Sequence, residues 1–367
     1  MARTFLRERL GYKMNTASKR EIYFSFFMFT ADLRPDDTAY TKVLIRHLRT
    51  LAAMGYDGFD LHIATQAASV QHPLEVESYR RLKKAFDKAG LKNAKFATNV
   101  GTTQFFDPTS PYKEQRERAL LYLKSRVDIT SVLGGESTES IMSGPFLYPY
   151  GAFPLTDLGE PMWSDTLQDW MKPRYLAARS IFQELADYAS RKRVKLAIEP
   201  VKSWEMPPPN MVSEVLDFLD SVKTSSPCGV TLDTAQMLME SQGPKMFQKN
   251  VARAVRQDRL CYVHISAPDR GEIRDSWIPW DAMLREFERV YRGPYLIEVF
   301  NAIPPFESSM RMARRRFWRP GEDPKQNRDS AYDVARAALK ELRDQIARVT
   351  GDKPYPARAN RNALTAH

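Results

Sequence analysis

The sequence predicts an α/β fold in which eight strand-helix units close into a barrel, and two observations support it. Short apolar runs alternate with longer amphipathic stretches along the whole 367-residue chain, which is typical of parallel strands joined by crossover helices. Eight such units are the number that closes into a (β/α)8 TIM barrel. A doubly wound open sheet is the alternative, but it normally has a glycine-rich phosphate turn after its first strand, and FFMFTADLRP contains none.

The predicted elements follow one another in regular order. The strands are short apolar runs at residues 22–29, 57–63, 94–100, 138–144, 194–200, 228–233, 260–266 and 295–300. The helices have an apolar period near 3.6 and cover residues 37–54, 74–89, 112–133, 173–192, 211–222, 244–256, 279–291 and 329–347. Several helices are expected to end at a glycine, as at Gly55, Gly90 and Gly134, because glycine adopts the left-handed conformation that terminates a helix.

Length and composition indicate one TIM-barrel catalytic domain at residues 21–348. It lies between an N-terminal extension, 1–20, and a polar C-terminal tail, 349–367. Two cysteines in predicted core strands indicate a reducing compartment. The chain shows neither a signal-peptide pattern nor an apolar run of 18 residues, so we expect a cytoplasmic protein without a membrane partner. The net charge of +10 does not come with a nucleic-acid-binding motif, so we expect no nucleic-acid partner.

Polar residues end four consecutive strands, the fifth to the eighth. These residues are Glu199 in LAIEPVKSWE, Asp233, His264 and Glu298, separated by 34, 31 and 34 positions. Carboxyl ends of parallel strands meet at one rim of a barrel, where chemistry is located. Three carboxylates and one imidazole suit a divalent cation. We expect Mn²⁺, with Mg²⁺ or Co²⁺ as alternatives; the competing interpretation is four separate polar strand ends, each bonded to a nearby helix.

One further polar residue ends a predicted strand. His62 closes the second strand in FDLHI, where it would act as an auxiliary base beside the metal or serve as a structural histidine in the barrel wall. Both interpretations fit the sequence.

These motifs resemble those of the sugar phosphate isomerase/epimerase superfamily, which has a xylose-isomerase-like barrel, and of its ketose 3-epimerases in particular. The matching stretches are LAIEPVKSWE, GVTLDTAQM, CYVHISAPDRGEIRDSWIPWDAM, YLIEVFNA and SGPFLYPYG. The resemblance implies that the four strand-end residues bind the metal and that Glu199 and Glu298 also form an acid-base pair. It implies substrate contacts from Glu205 and Arg270. Gln236 stands where those epimerases carry a histidine; we expect it to contact the substrate, and the replacement leaves the orientation and identity of the sugar open.

A second resemblance concerns the insertion NAIPPFESSMRMARRRFWRPGEDP, residues 301–324. It is similar to the corresponding stretch in the catalytic α subunits of bacterial C-glycoside deglycosidases, which implies a small β subunit as partner and a 3-oxo-glycoside of an aromatic aglycone as substrate. An aromatic-lined pocket, with Tyr148 as one substrate contact, would suit such a substrate. A solvated helical turn is the competing interpretation of the insertion.

Both activities begin with removal of a carbon-bound proton next to a ketone. Reprotonation of the resulting enediolate on its other face gives an epimer, whereas expulsion of a neighbouring substituent gives elimination. The sequence analysis favours elimination of an aromatic aglycone from a 3-oxo-C-glycoside, because of the insertion and of Gln236. Ketose 3-epimerisation or sugar isomerisation is the alternative, and a non-catalytic barrel subunit is a further one that a metal assay would distinguish.

Overall fold

A computed structural model describes most of the chain. The described residues are 20–29, 33–63, 72–136, 138–144, 147–160, 162, 164–224, 226, 228–240, 243–268, 270–271, 273, 277–299 and 331–351. The insertion at 301–324 lies outside them. Nearly all of the predicted N-terminal extension and C-terminal tail also lies outside the described residues, so the boundaries of these two segments stay predictions.

Eight parallel strands form the closed barrel that the sequence predicts, in the order β1 to β8, with β1 pairing β8. The strands are β1 Ile22–Ser25, β2 Gly58–His62, β3 Lys95–Asn99, β4 Ser140–Ser143, β5 Val194–Ile198, β6 Cys228–Asp233, β7 Leu260–Ser266 and β8 Tyr295–Glu298. The first strand is shorter than predicted, because the chain turns into a short 3-10 helix at Phe26–Met28. An apolar run does not by itself distinguish a strand from such a turn.

Helices surround the barrel. They are α1 Thr38–Met54, α2 His72–Phe86, α3 Lys113–Gly134, α4 Ser164–Arg191, α5 Val212–Ser221, α6 Thr234–Met239, α7 Pro244–Arg256, α8 Trp280–Val290 and α9 Ala331–Thr350. Helix α6 was not predicted, and α4 begins nine residues before the predicted start at Pro173, which lies inside the helix. No helix among these described segments is long and apolar enough to cross a membrane.

One of the three predicted helix-ending glycines is confirmed. Gly55 ends α1 with a φ of 106°, whereas Gly90, with a φ of 85°, lies inside a π-helical segment, Asp87–Leu91, that continues α2. At the end of α3 the left-handed residue is Gly135, with φ 87°, and not Gly134. Gly134 is needed for close packing instead, because a Cβ there would lie 1.7 Å from Ser140 Oγ.

Strand alternation divides the core into two parts. Outward-facing residues such as Phe24, Leu196 and Val230 join the large apolar cluster between the strands and the helices. Inward-facing residues fill the barrel itself with a smaller buried cluster. Its members are Tyr23, Ala97, Ile141, Ala197, Tyr262 and Leu296. Two residues after Ala197, Tyr262 and Leu296 along the chain, the same inward face carries Glu199, His264 and Glu298. The floor of the barrel is therefore apolar, and its carboxyl-end mouth is polar.

Candidate metal centre

The four predicted ligands meet at the carboxyl end of the barrel. Glu199 follows β5 directly, Asp233 and Glu298 are the last residues of β6 and β8, and His264 lies within β7. All four are buried. Ligand atoms of Glu199, Asp233 and His264 lie within 4.8 Å of one another.

His264 lies between Glu199 and Glu298, the fourth predicted ligand. Its Nδ1 lies 3.7 Å from Glu199 Oε1 and 3.4 Å from Glu298 Oε1. Among the described residues neither ring nitrogen of His264 has a hydrogen-bond partner, although the side chain is fully buried. An unsatisfied buried imidazole is costly, and a ligand would satisfy it. The residues therefore fit a divalent cation with mixed oxygen and nitrogen ligands.

Asp233 is held in place by the start of α6. Its Oδ1 accepts hydrogen bonds from the backbone N–H groups of Ala235 at 2.6 Å and Gln236 at 3.1 Å, and from Ser266 Oγ at 2.7 Å. The strand-end carboxylate is thus also the N-cap of the helix. This capping fixes the orientation of the side chain and leaves Oδ2 directed toward Arg270.

Arg270 supplies the positive charge of the site. Its Nη1 donates to Asp233 Oδ2 at 2.9 Å, to Ser266 Oγ at 2.9 Å and to Glu298 Oε2 at 3.0 Å. Its backbone has a φ of 51°, in the left-handed region that a non-glycine residue rarely adopts. Such backbone strain is common at functional sites. The resemblance implied that Arg270 touches substrate; in the structure it also pairs with two of the predicted ligands.

Burial and neighbouring charges shift the protonation of these groups in different directions. Burial raises the pKa of Glu199 well above its usual value, and the charges of Glu298 and Asp233 raise it further. Burial also raises the pKa of Glu298 to about 8, against the opposing effect of Arg270. Burial opposes ionisation of Asp233, but the charge of Arg270, the neighbouring His264 and the hydrogen bonds from Ser266 and Arg270 together outweigh it and lower the pKa to about 2. Burial lowers the pKa of His264 to about 4. Near neutral pH, Asp233 is therefore ionised and His264 is neutral, whereas burial favours the protonated forms of Glu199 and Glu298.

Two of the predicted substrate contacts lie beside this centre. Gln236 is buried in α6, and its Oε1 accepts from the backbone N–H of Lys202 at 3.2 Å. Glu205 pairs with the buried Lys202 ammonium and accepts a hydrogen bond from the Tyr150 hydroxyl. The sequence analysis did not identify Lys202, although a lysine in the loop next to a metal ligand is a signal.

The other two predicted site residues have apolar contacts. His62 closes β2, and its ring lies 4.7 Å from that of Phe27. Tyr148 packs in a buried cluster with Met171, Val201 and Met206 and meets the Trp170 ring edge-on. Its predicted substrate contact stays a proposal.

A further interior carboxyl, Asp60 of β2, was not predicted. Burial raises its pKa to about 7, although the nearby Tyr262 hydroxyl opposes the rise. Tyr262 in turn stands edge-on to the ring of His264, with centroids 4.8 Å apart. The inward alternation in GFDLH, which directs both Asp60 and His62 into the barrel, is the signal that would have indicated it.

Comparison with known proteins assigns the fold to a family. Residues 48–319 match a family model described as a xylose isomerase-like TIM barrel. The chain is 32% identical over 144 residues to the L-ribulose 3-epimerase of Methylomonas sp. (strain DH-1); the match covers 38% of this chain and 48%, about half, of that protein. It is 25% identical over 268 residues to the probable ketose 3-epimerase of Synechocystis sp., covering 72% of this chain and 80% of that one.

One solved structure is similar to almost the whole of this chain. This is a protein of Anabaena variabilis provisionally assigned as a sugar phosphate isomerase/epimerase, with 45% sequence identity and a TM-score of 0.83. The similarity covers 90% of this chain and 100% of that chain.

Proposed function

Because the chain belongs to the xylose isomerase-like TIM barrel family, we propose that it is a divalent-metal-dependent epimerase of free ketoses. The observation that carries the proposal is the pair of buried glutamates, Glu199 and Glu298, whose carboxylates approach the same imidazole nitrogen. The names of two relatives, an L-ribulose 3-epimerase and a probable ketose 3-epimerase, support the same chemistry.

Glu199, Asp233, His264 and Glu298 would hold the cation, with Mn²⁺ as the expected metal. A divalent cation at this position supplies Lewis-acid polarisation of the substrate carbonyl. One glutamate removes the proton from the carbon next to the ketone, and the other returns a proton to the opposite face. Burial raises the pKa of both groups, which makes each carboxylate a stronger base toward a carbon-bound proton. Arg270 keeps Asp233 ionised throughout.

Elimination of an aromatic group from a 3-oxo-C-glycoside is the second candidate. Two aromatic side chains favour it, since Tyr150 beside Glu205 is 50% exposed and Trp204 beside Lys202 is 60% exposed. Exposed aromatic faces near a sugar site suit an aryl substituent. The relatives named above are epimerases, so this reaction ranks second, and the β subunit it implies stays a prediction.

Product analysis distinguishes the two candidates. The Mn²⁺-loaded protein is incubated with a panel of free ketoses and, separately, with a 3-oxo-C-glucoside, and the products are identified by NMR. We expect inversion at the carbon next to the ketone. Release of free aglycone without any epimeric sugar would favour elimination, and a protein that binds no divalent metal would contradict both.

A further inference from the structure

Lys202 is a buried lysine beside the metal centre. It lies in the loop between β5 and α5, three residues after Glu199, and only 2% of its side chain is exposed. Its ammonium pairs with Glu205 and lies 4.4 Å from the centroid of the Trp204 ring. A lysine is almost never buried unless its charge is matched, so this loop is built around the ion pair.

Glu205 receives a second donor from another loop. The Tyr150 hydroxyl, between β4 and α4, hydrogen-bonds to it, and burial together with the charge of Glu205 raises the pKa of Tyr150. Glu205 is thus held from two sides by an ammonium and a phenol. A carboxylate has about four acceptor positions on its two oxygens, so it retains capacity for a further donor from a substrate.

The backbone around Lys202 is attached to the helix that Asp233 caps. The Lys202 N–H donates to Gln236 Oε1 at 3.2 Å, and the Ser203 N–H donates to Glu240 Oε1 at 2.5 Å. Positive charge from Arg270 and negative charge from Asp233 both act on the Lys202 ammonium. The loop that carries Glu205 is therefore fixed relative to the metal ligands.

We propose that Lys202 and Tyr150 are positioning residues that hold Glu205 as a charged acceptor for one hydroxyl of the ketose, so that these three residues determine which ketoses bind. The inference rests on the proposed function, because it takes a ketose as the substrate. A site built to bind a hydroxyl rejects an analogue that lacks it, since the buried acceptor is then left unpaired. The three residues, here termed the hydroxyl clamp, would thus select substrates by the hydroxyl group that donates to Glu205.

The test compares Lys202→Met and Lys202→Arg with Ser203→Ala, an adjacent exposed control. Calorimetry measures ketose and Mn²⁺ affinity, and steady-state kinetics give KM and kcat. We expect Lys202→Met to weaken ketose binding and raise KM by about 10- to 100-fold, the effect of losing a charged hydrogen-bond partner. Mn²⁺ affinity should stay unchanged, and Lys202→Arg should recover part of the loss. Tyr150→Phe, which removes a neutral donor, should cost about 5-fold.

A double-mutant cycle with Glu205→Gln separates positioning from a general structural role. If Lys202 acts through Glu205, the variant with both Lys202→Met and Glu205→Gln should bind ketose no worse than the Glu205→Gln variant alone. A monodeoxy ketose that lacks the recognised hydroxyl should bind equally well to the wild type and to Lys202→Met. Additive losses, or equal loss of Mn²⁺ and ketose affinity, would overturn the inference. Ketose binding without turnover would contradict only the proposed reaction. A wild-type protein that binds no ketose would contradict both the proposed reaction and the hydroxyl clamp.

Discussion

Removing the positive charge of Arg270 should destabilise the metal-free protein strongly. One atom, Nη1, donates to Asp233, Ser266 and Glu298, and Arg270→Met would retain much of the apolar stem but lose all three bonds. Breaking a buried ion pair by removing one partner costs about 3–5 kcal/mol. Because the pKa of Glu298 is about 8, the charge left unpaired at pH 7 is chiefly that of Asp233. We therefore expect the lower end of this range, about 3 kcal/mol.

Urea denaturation of the metal-free protein measures this cost, and Arg253→Met is the matched control. Arg253 also bridges two carboxylates, Asp217 and Asp220, each at 2.7 Å, but these are 68% and 44% exposed. Such a surface pair contributes at most about 1 kcal/mol. Added Mn²⁺ should stabilise Arg270→Met more than the wild type, since the cation supplies the missing charge. Similar costs for the two variants would refute the role assigned to Arg270.

Three other predictions concern the ligands and the barrel. Glu199→Gln should leave the fold intact but weaken Mn²⁺ binding and reduce turnover by orders of magnitude, as measured by calorimetry and steady-state kinetics; unchanged values would contradict its dual role. The pKa of Glu298 rises from 4.5 to about 8 on folding, so its contribution to metal-free stability is complete below pH 4.5 and is lost as pH rises through 8. Since a metal requires the ionised form, Mn²⁺ affinity should increase from pH 6 to 8, and a pH-independent affinity would contradict this. Gly229→Ala places a Cβ 2.1 Å from Arg259 O and should cost about 1–3 kcal/mol in thermal unfolding. Gly101→Ala is the control, because its Cβ would meet no atom of the described residues within 4 Å, and it should change stability by less than about 0.5 kcal/mol.

The metal centre could be predicted from sequence because barrel geometry leaves little freedom. Parallel strands bring their carboxyl ends to one rim, and alternation directs every second side chain inward. A polar residue at the end of each of four successive strands therefore implies a cluster. The structure brings Glu199, Asp233 and His264 together, and Glu298 reaches the group through His264.

The pairings around the centre could not be predicted, because they depend on how loops fold. The position of Lys202 after a predicted metal ligand marks it as a residue near the site, but it does not indicate that Lys202 is buried against Glu205. The sequence also does not indicate that one nitrogen of Arg270 contacts two of the ligands. The start of α4 was also not predicted. The structure extends this helix from Pro173 back to residue 164 and packs Met171 in a buried cluster, so tertiary packing overrides the low preference of proline for a helix interior.

Solvent deuterium exchange tests the central claim most directly. The Mn²⁺-loaded protein is incubated with ketoses in D₂O, and NMR locates the label in recovered substrate and product. The proposed function predicts deuterium at the carbon next to the ketone in the epimeric product, and loss of this exchange in His264→Ala, which removes a ligand without removing either glutamate. Absence of exchange for every ketose that binds, or undiminished exchange in His264→Ala, would contradict metal-assisted proton transfer at this site.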